Sequence, residues 1–265
     1  MSASALQLYY RYVLRPRFPP LPPPDLRFMG EDDQQFIEIA NQYATLLSER
    51  GLRSDHSILD IGCGYGKLAF GLMSQLDFRG QYEGFDLLRR HVDWCNDAIT
   101  TRASNFHFTH LDIANARYNP EGSLDPSQLR FPYDDDSFDF CALFSVFTHM
   151  YDSDIRRYVD EIKRVVKSTG VCVATLFLFN ETRMAMVTSE ACALPMKYQL
   201  SEVCRYFNKD SILHAISYEE NYMRHLWTRA GFVVTDLTWG SWAGDQPASH
   251  DAQTYSYQDV MTVQA

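Results

Sequence analysis

The chain has 265 residues, enough to bury a proper core in one large α/β domain or two small ones. Its 24 Lys and Arg against 34 Asp and Glu leave a formal charge of −10, which disfavours a broad phosphate-binding face and with it a nucleic-acid substrate. The six cysteines show no metal-like spacing and fit buried, reduced thiols in a cytoplasmic protein, and no apolar stretch reaches the roughly 18 residues of a membrane span.

Residues 1–30 stand apart. Tyr9, Tyr10, Tyr12 and Phe18 are interleaved with Arg11, Arg15 and Arg17, which break any signal-peptide core, and a run of prolines follows at 19–24. Proline fixes φ, so the run is expected as extended polyproline II. The aromatics beside it point to an arm packed across the domain, the alternative being a stiff linker or a ligand for a partner's aromatic groove.

The remainder, 31–265, reads as one domain. A helix is expected over 31–50, with Phe36, Ile37, Ala40, Tyr43, Leu46 and Leu47 on one stripe and Gly51 as its stop. Residues 57–66 then pass from a short apolar run through Asp60 into Gly62, Gly64 and Gly66. A helix over 67–76 follows. The glycines permit positive φ and carry no Cβ, so backbone can approach a ligand closely. A strand over 81–85 ends at Asp86, a helix spans 87–101, and a strand over 105–109 leads into Leu111-Asp112-Ile113. After a polar loop at 114–137 come a strand at 138–144 and a helix at 152–167, capped by Asp152 or Ser153 and ended by Gly170. An apolar strand at 171–179 precedes an irregular stretch at 181–217. Ser217 and Glu220 form a capping-box pattern for a helix ending before Gly231, and strands at 232–239 and 254–263 close the chain. Alternating strands and helices predict an open, mostly parallel seven-stranded α/β sheet flanked by helices, its last strand antiparallel.

The turn reads D-x-G-x-G-x-G, whereas a dinucleotide fingerprint needs its third glycine one place later, where Lys67 stands. The form resembles motif I of the class I S-adenosylmethionine (SAM) dependent methyltransferases, and the resemblance extends over about 31–263. It implies the class I methyltransferase fold, with the N-terminal arm and 181–217 as substrate-covering parts, and SAM as cofactor. Gly62, Cys63, Gly64 and Gly66 would then cradle the cofactor, with Asp60 ordering the turn or meeting the methionine ammonium through water. Asp86, with Leu87 beside it, stands where a carboxylate accepts from both ribose hydroxyls; as residues alone, a helix cap is the competing assignment. The resemblance also assigns Asp112 to the adenine amino group, Ile113 to a backbone donor, and Phe144 to the methionine end of the cofactor.

His149 follows in Phe144-Ser145-Val146-Phe147-Thr148-His149 and is the candidate general base, since its intrinsic pKa lies near neutrality; a capping or core histidine is the alternative. His149, Asp152 and Asp154 lack metal-ligand spacing, so no metal is expected. Tyr9, Tyr10, Tyr198, Tyr206, Phe207, Trp227 and Trp242, with Arg15, Arg17, Lys197 and Arg205, suit a small amphipathic or anionic acceptor under a lid. The expected activity is in-line methyl transfer to an oxygen, nitrogen or sulfur atom of a small molecule. A non-catalytic binding protein of the same fold and a nicotinamide-dependent oxidoreductase are the alternatives.

Overall fold

The computed structural model describes residues 19–27, 32–244, 255 and 257–265; the aromatic and basic part of the expected arm, at 9–18, lies outside them. Residues 1–110 with 253–255 form one compact unit and 111–252 with 256–265 another, whereas the sequence places a boundary at residue 30.

In the first unit, α1 (Asp33–Glu49) starts on a capping box in which Asp32 and Gln35 bond each other's backbone amides. Its buried stripe is Phe36, Ala40, Tyr43, Ala44, Leu46 and Leu47, the face the sequence periodicity marks. β1 (Ile58–Ile61) is buried at every position, and α2 (Lys67–Gln75) follows the glycine turn. β2 (Tyr82–Asp86) and β3 (Phe106–His110) extend a parallel ladder in the order β1-β2-β3. Between them α3 (Arg89–Cys95) widens into a π turn at Asn96–Thr100. α1 and α2 meet through a glycine: a Cβ on Gly71 would lie 1.9 Å from the Ala40 carbonyl oxygen. Of the arm, Pro23 has polyproline dihedrals (φ −62°, ψ 149°), and Leu21 packs against the cluster of Phe36, Ala40, Tyr65 and Phe70. Leu26 is buried, Arg27 Nε donates to the Pro22 carbonyl at 2.8 Å, and Asp25 pairs with Arg90.

In the second unit, β4 (Phe138–Leu143) is followed by α4 (Asp152–Val165) and β5 (Val166–Leu176). α4 buries Ile155, Tyr158, Val159, Ile162 and Val165, but its cap position is Tyr151, and Asp152 turns instead to Arg156 and Tyr222. Gly170 does not end the helix. Val166 is already extended (ψ 139°) and pairs with Phe138, so β5 begins five residues earlier than the apolar run suggests and takes Gly170 into the strand.

The strand expected over 171–179 ends at Leu176, and its last two residues open a second sheet that continues through the stretch expected to be irregular. β6 (Leu178–Phe179), α5 (Met184–Val187), β7 (Tyr198–Ser201), β8 (Cys204–Tyr206) and β9 (Ile216–Glu219) follow in turn, and the strands order as β6-β9-β8-β7. Ser217 lies inside β9, its hydroxyl donating to the Arg205 carbonyl, so it caps nothing; Glu219 caps α6 (Glu220–Arg229) by accepting from Tyr222 N at 2.7 Å. β10 (Val233–Thr238) and β11 (Asp259–Gln264) close the chain. β4 and β5 pair in parallel, and β11 lies antiparallel between β5 and β10. Three strands in one ladder and four in the other make up the expected α/β fold, mostly parallel with an antiparallel last strand.

Candidate active site

The glycine turn adopts the backbone its sequence permits: Gly62, Gly64 and Gly66 have φ of 74°, 51° and 78°, a region costly for residues with a Cβ. Gly62 N and Cys63 N both donate to the Phe85 carbonyl, at 2.9 and 3.0 Å, which pins the turn to the end of β2. The Cys63 side chain fills the space over Gly84, where a Cβ would meet it at 2.9 Å. A Cβ on Gly64 would find nothing within 4 Å, so this backbone borders open space, and Gly66 stands at the N-cap of α2.

Asp86 closes the other side of that turn. One carboxylate oxygen accepts from Gly64 N and the other from Leu88 N, each at 2.8 Å. Asp86 thus ties the turn to the segment leading into α3, whose N-cap residue is Leu88 and carries no side-chain cap. A carboxylate has about four lone-pair directions, so these two bonds leave acceptor capacity. Burial pushes the Asp86 carboxyl up from its ordinary value, against the Leu88 and Gly64 amides and the charge of His91. His91 is buried and edge-on to Tyr65, 5.4 Å between centroids, and burial holds its pKa down. Asp60 is anchored by the Tyr82 hydroxyl, which donates at 2.5 Å across the β1–β2 pairing. Burial lifts its carboxyl to about 7, with the Tyr82 bond opposing.

In the second unit, Asp112 accepts from Asn119 Nδ2 at 2.9 Å and from Ser123 N and Oγ at 3.1 and 2.8 Å. It knots the loop at 112–124, while Ile113 N donates to the Leu111 carbonyl at 2.7 Å. Phe144 follows β4, and after it Ser145 takes φ 58°, rare for a residue with a side chain. Two bonds hold that backbone: Ser145 N to Thr175 Oγ1 at 2.8 Å and Ser145 Oγ to Gln258 Oε1 at 2.9 Å. His149 Nδ1 faces the Leu213 carbonyl at 3.0 Å. A carbonyl only accepts, so Nδ1 carries the proton and Nε2 the lone pair. Burial pushes the ring down to about 4, with Arg117 and His214 adding to the effect against the lift from the Leu213 and His214 backbone.

The side chains proposed for the lid are redistributed. Trp227 and Trp242 are fully buried core, Lys197 pairs with Glu190, and Arg205 donates to the Met196 and Lys197 carbonyls, both at 2.8 Å. Tyr198 and Tyr206 pack on each other across the second sheet, 5.4 Å apart. The six cysteines are free and buried. Among the described residues no cluster of His, Cys, Asp or Glu suits a metal ion, and no helix is long and apolar enough to cross a membrane. Tyr82, His91 and Ser145 are missing from the sequence-derived set; a tyrosine two positions before Gly84 and a histidine five after Asp86 were the available signals.

Residues 59–174 match the family model described as a methyltransferase domain. Among solved structures, the chain resembles the PH0226 protein of Pyrococcus horikoshii OT3 at 15% identity, covering 88% of this chain and 92% of that one with a TM-score of 0.59. It also resembles the 1,6-didemethyltoxoflavin-N1-methyltransferase of Burkholderia thailandensis, solved with 1,6-didemethyltoxoflavin and S-adenosylhomocysteine, at 15% identity over 98% and 88% with a TM-score of 0.53. The YcgJ protein of Bacillus subtilis is similar at 16% identity over 84% and 96%, TM-score 0.51. The D-x-G-x-G-x-G turn in its left-handed backbone and Asp86 closing it lie within the segment that matches the methyltransferase-domain model, and the chain shares its fold with the Burkholderia methyltransferase.

Proposed function

We propose that the protein is a SAM-dependent methyltransferase that methylates a small molecule by direct in-line displacement, the carrying observation being the Asp86 carboxylate bound to Gly64 N beside open space. In this reading Asp86 accepts from the ribose hydroxyls through its remaining lone pairs, and Leu87 follows it at the sugar. Gly62, Gly64 and Gly66 offer side-chain-free backbone to the cofactor, Cys63 joins them with its side chain turned over Gly84, and Asp60 supports them through β1. SAM supplies a methyl group on a sulfonium, so the protein has mainly to align and dry the reacting groups. Alignment accounts for up to about 7–11 kcal/mol in favourable intramolecular models. Phe144 contributes apolar surface, and exclusion of water suits a reaction that discharges the sulfur. Asp112 and Ile113 shape the loop near the adenine end. The small-molecule class is supported by the Burkholderia neighbour, a 1,6-didemethyltoxoflavin-N1-methyltransferase solved with 1,6-didemethyltoxoflavin bound. The buried thiols favour a cytoplasmic setting.

His149 is the proposed base. Its lone pair on Nε2 is available at neutral pH, and its pKa of about 4 places any acid limb of the rate there rather than near 6.5. His149→Ala is expected to lower kcat for a hydroxyl or ammonium acceptor by roughly 10²-fold. Unchanged turnover removes it from the mechanism. The overall reading is tested by titrating SAM and S-adenosylhomocysteine calorimetrically, then incubating tritiated SAM with a cell extract. Label is expected in the low-molecular-weight fraction; label confined to protein or RNA would sink the small-molecule class.

A further inference from the structure

The loop at 112–124 presents a built group of side chains that the cofactor reading does not use. Asn115 Oδ1 accepts from Arg117 N at 3.0 Å and Tyr118 N at 3.1 Å, and its Nδ2 donates to the His149 carbonyl at 3.2 Å. One asparagine therefore fixes both the turn and its distance from His149. Tyr118 stands edge-on to the His149 ring at 5.4 Å, and the Arg117 guanidinium lies over Tyr118 at 5.2 Å. Arg117 Nη1 reaches His214 Nδ1 at 3.0 Å. A guanidinium only donates, so His214 Nδ1 holds a lone pair and its Nε2 carries the proton. The two histidines are thereby in opposite tautomers. His149 offers a lone pair at Nε2, while His214 and the exposed Arg117 offer only donors. Among the described residues Arg117 has no carboxylate partner, unlike Lys197 and Arg164, whose ammonium and guanidinium meet acids.

We propose that Arg117 and His214 form the carboxylate-binding corner of the acceptor site, so that the acceptor is a small organic acid whose nucleophilic group lies toward His149. The inference rests on His149 marking the acceptor side, as proposed above. The planar guanidinium fork matches a carboxylate in geometry. The arrangement places donors at one end and a proton acceptor at the other, which suits a hydroxy or amino acid more than a neutral acceptor.

The test uses full-length protein with ¹⁵N-labelled histidine, saturated with S-adenosylhomocysteine, titrated with acetate at constant ionic strength. A saturable shift of the His214 ring signals is expected in the millimolar range. Acetamide should leave it unmoved, Arg117→Ala should weaken acetate at least about fivefold, and Arg117→Lys should fall between. A non-saturable shift, an equal response to acetamide, or an unchanged affinity in Arg117→Ala overturns the corner. Tighter binding of inorganic phosphate than of acetate overturns the carboxylate class. Binding of S-adenosylhomocysteine, measured separately, distinguishes the failures: if it binds and acetate does not, only the corner is lost, and if it fails while acetate binds, the methyltransferase reading of the site is lost instead.

Discussion

In the proposed reading Asp86 is the residue on which cofactor affinity turns, because it makes two backbone bonds and has lone pairs left for a ligand. Hydrogen bonds to a charged group contribute about 1.5–3 kcal/mol, and 1.4 kcal/mol is tenfold in affinity. Asp86→Ala is therefore expected to weaken S-adenosylhomocysteine by roughly 10–150-fold in calorimetry, and an unchanged affinity would place the ribose elsewhere. Asp60 carries a pH signature of its own. Its folded-state value of about 7 lies above the ordinary 3.8, so between these values the folded protein holds a proton that the unfolded chain has released. That contribution is complete below pH 4 and disappears as pH rises through 7, with a slope of at most about 1.36 kcal/mol per pH unit. Urea unfolding should show the parent losing more stability than Asp60→Asn between about pH 5 and pH 7.5, whereas parallel curves would dismiss the buried titration. The three glycines were legible because their geometry is local to the turn, and Asp86 because it ends the strand that follows. Tyr82 was not: it reaches Asp60 only through the parallel register that sets Ile58 beside Tyr82 and Asp60 beside Gly84.

At the scale of elements, the sequence succeeds where one face is buried and stumbles where a boundary depends on pairing. The stripes of α1 and α4 are visible in their spacing, since helical period and burial agree. Gly170 and Ser217 look like helix punctuation, but strand pairing claims both. The second sheet was illegible because its strands are two to four residues long, and β7 alternates nothing apolar toward a core. The approach to β4 is likewise tertiary: buried Glu161 accepts from Phe131 N at 2.8 Å and from Arg157 and Arg164, so the polar loop expected at 114–137 is held at its end from α4. Gly71 offers a test of helix contact. Alanine there gains about 0.5–1 kcal/mol of helix propensity but drives a methyl into the Ala40 carbonyl, an overpacking cost of about 1–3 kcal/mol or more. Gly71→Ala should lower the urea midpoint with an unchanged slope, and a raised midpoint would show that α1 and α2 separate freely.

For the molecule as a whole, charge separates a small-molecule methyltransferase from one that modifies nucleic acid. The net charge of −10 repels a polyanion, and the distribution strengthens the argument. Within the first unit Arg53, Arg79 and Arg90 each meet an aspartate; within the second Arg156, Arg164, Lys167, Lys197 and Arg224 each meet an acid. Cations already matched at close range release few counterions on meeting phosphates, so little affinity is available from that source. Every phosphate contact a binding protein does make steepens its salt dependence by roughly 0.9 in log affinity against log salt. Filter binding with duplex RNA at about 50 mM salt should accordingly give no saturable retention, and tritiated SAM should leave bulk tRNA unlabelled. Saturable binding with a steep salt slope would mean that unpaired cations line a groove, and the acceptor would then be a nucleic acid despite the overall charge. A flat, unlabelled result leaves the donor corner at Arg117 and His214 as the anion-directed feature, scaled to one carboxylate rather than to a chain of phosphates.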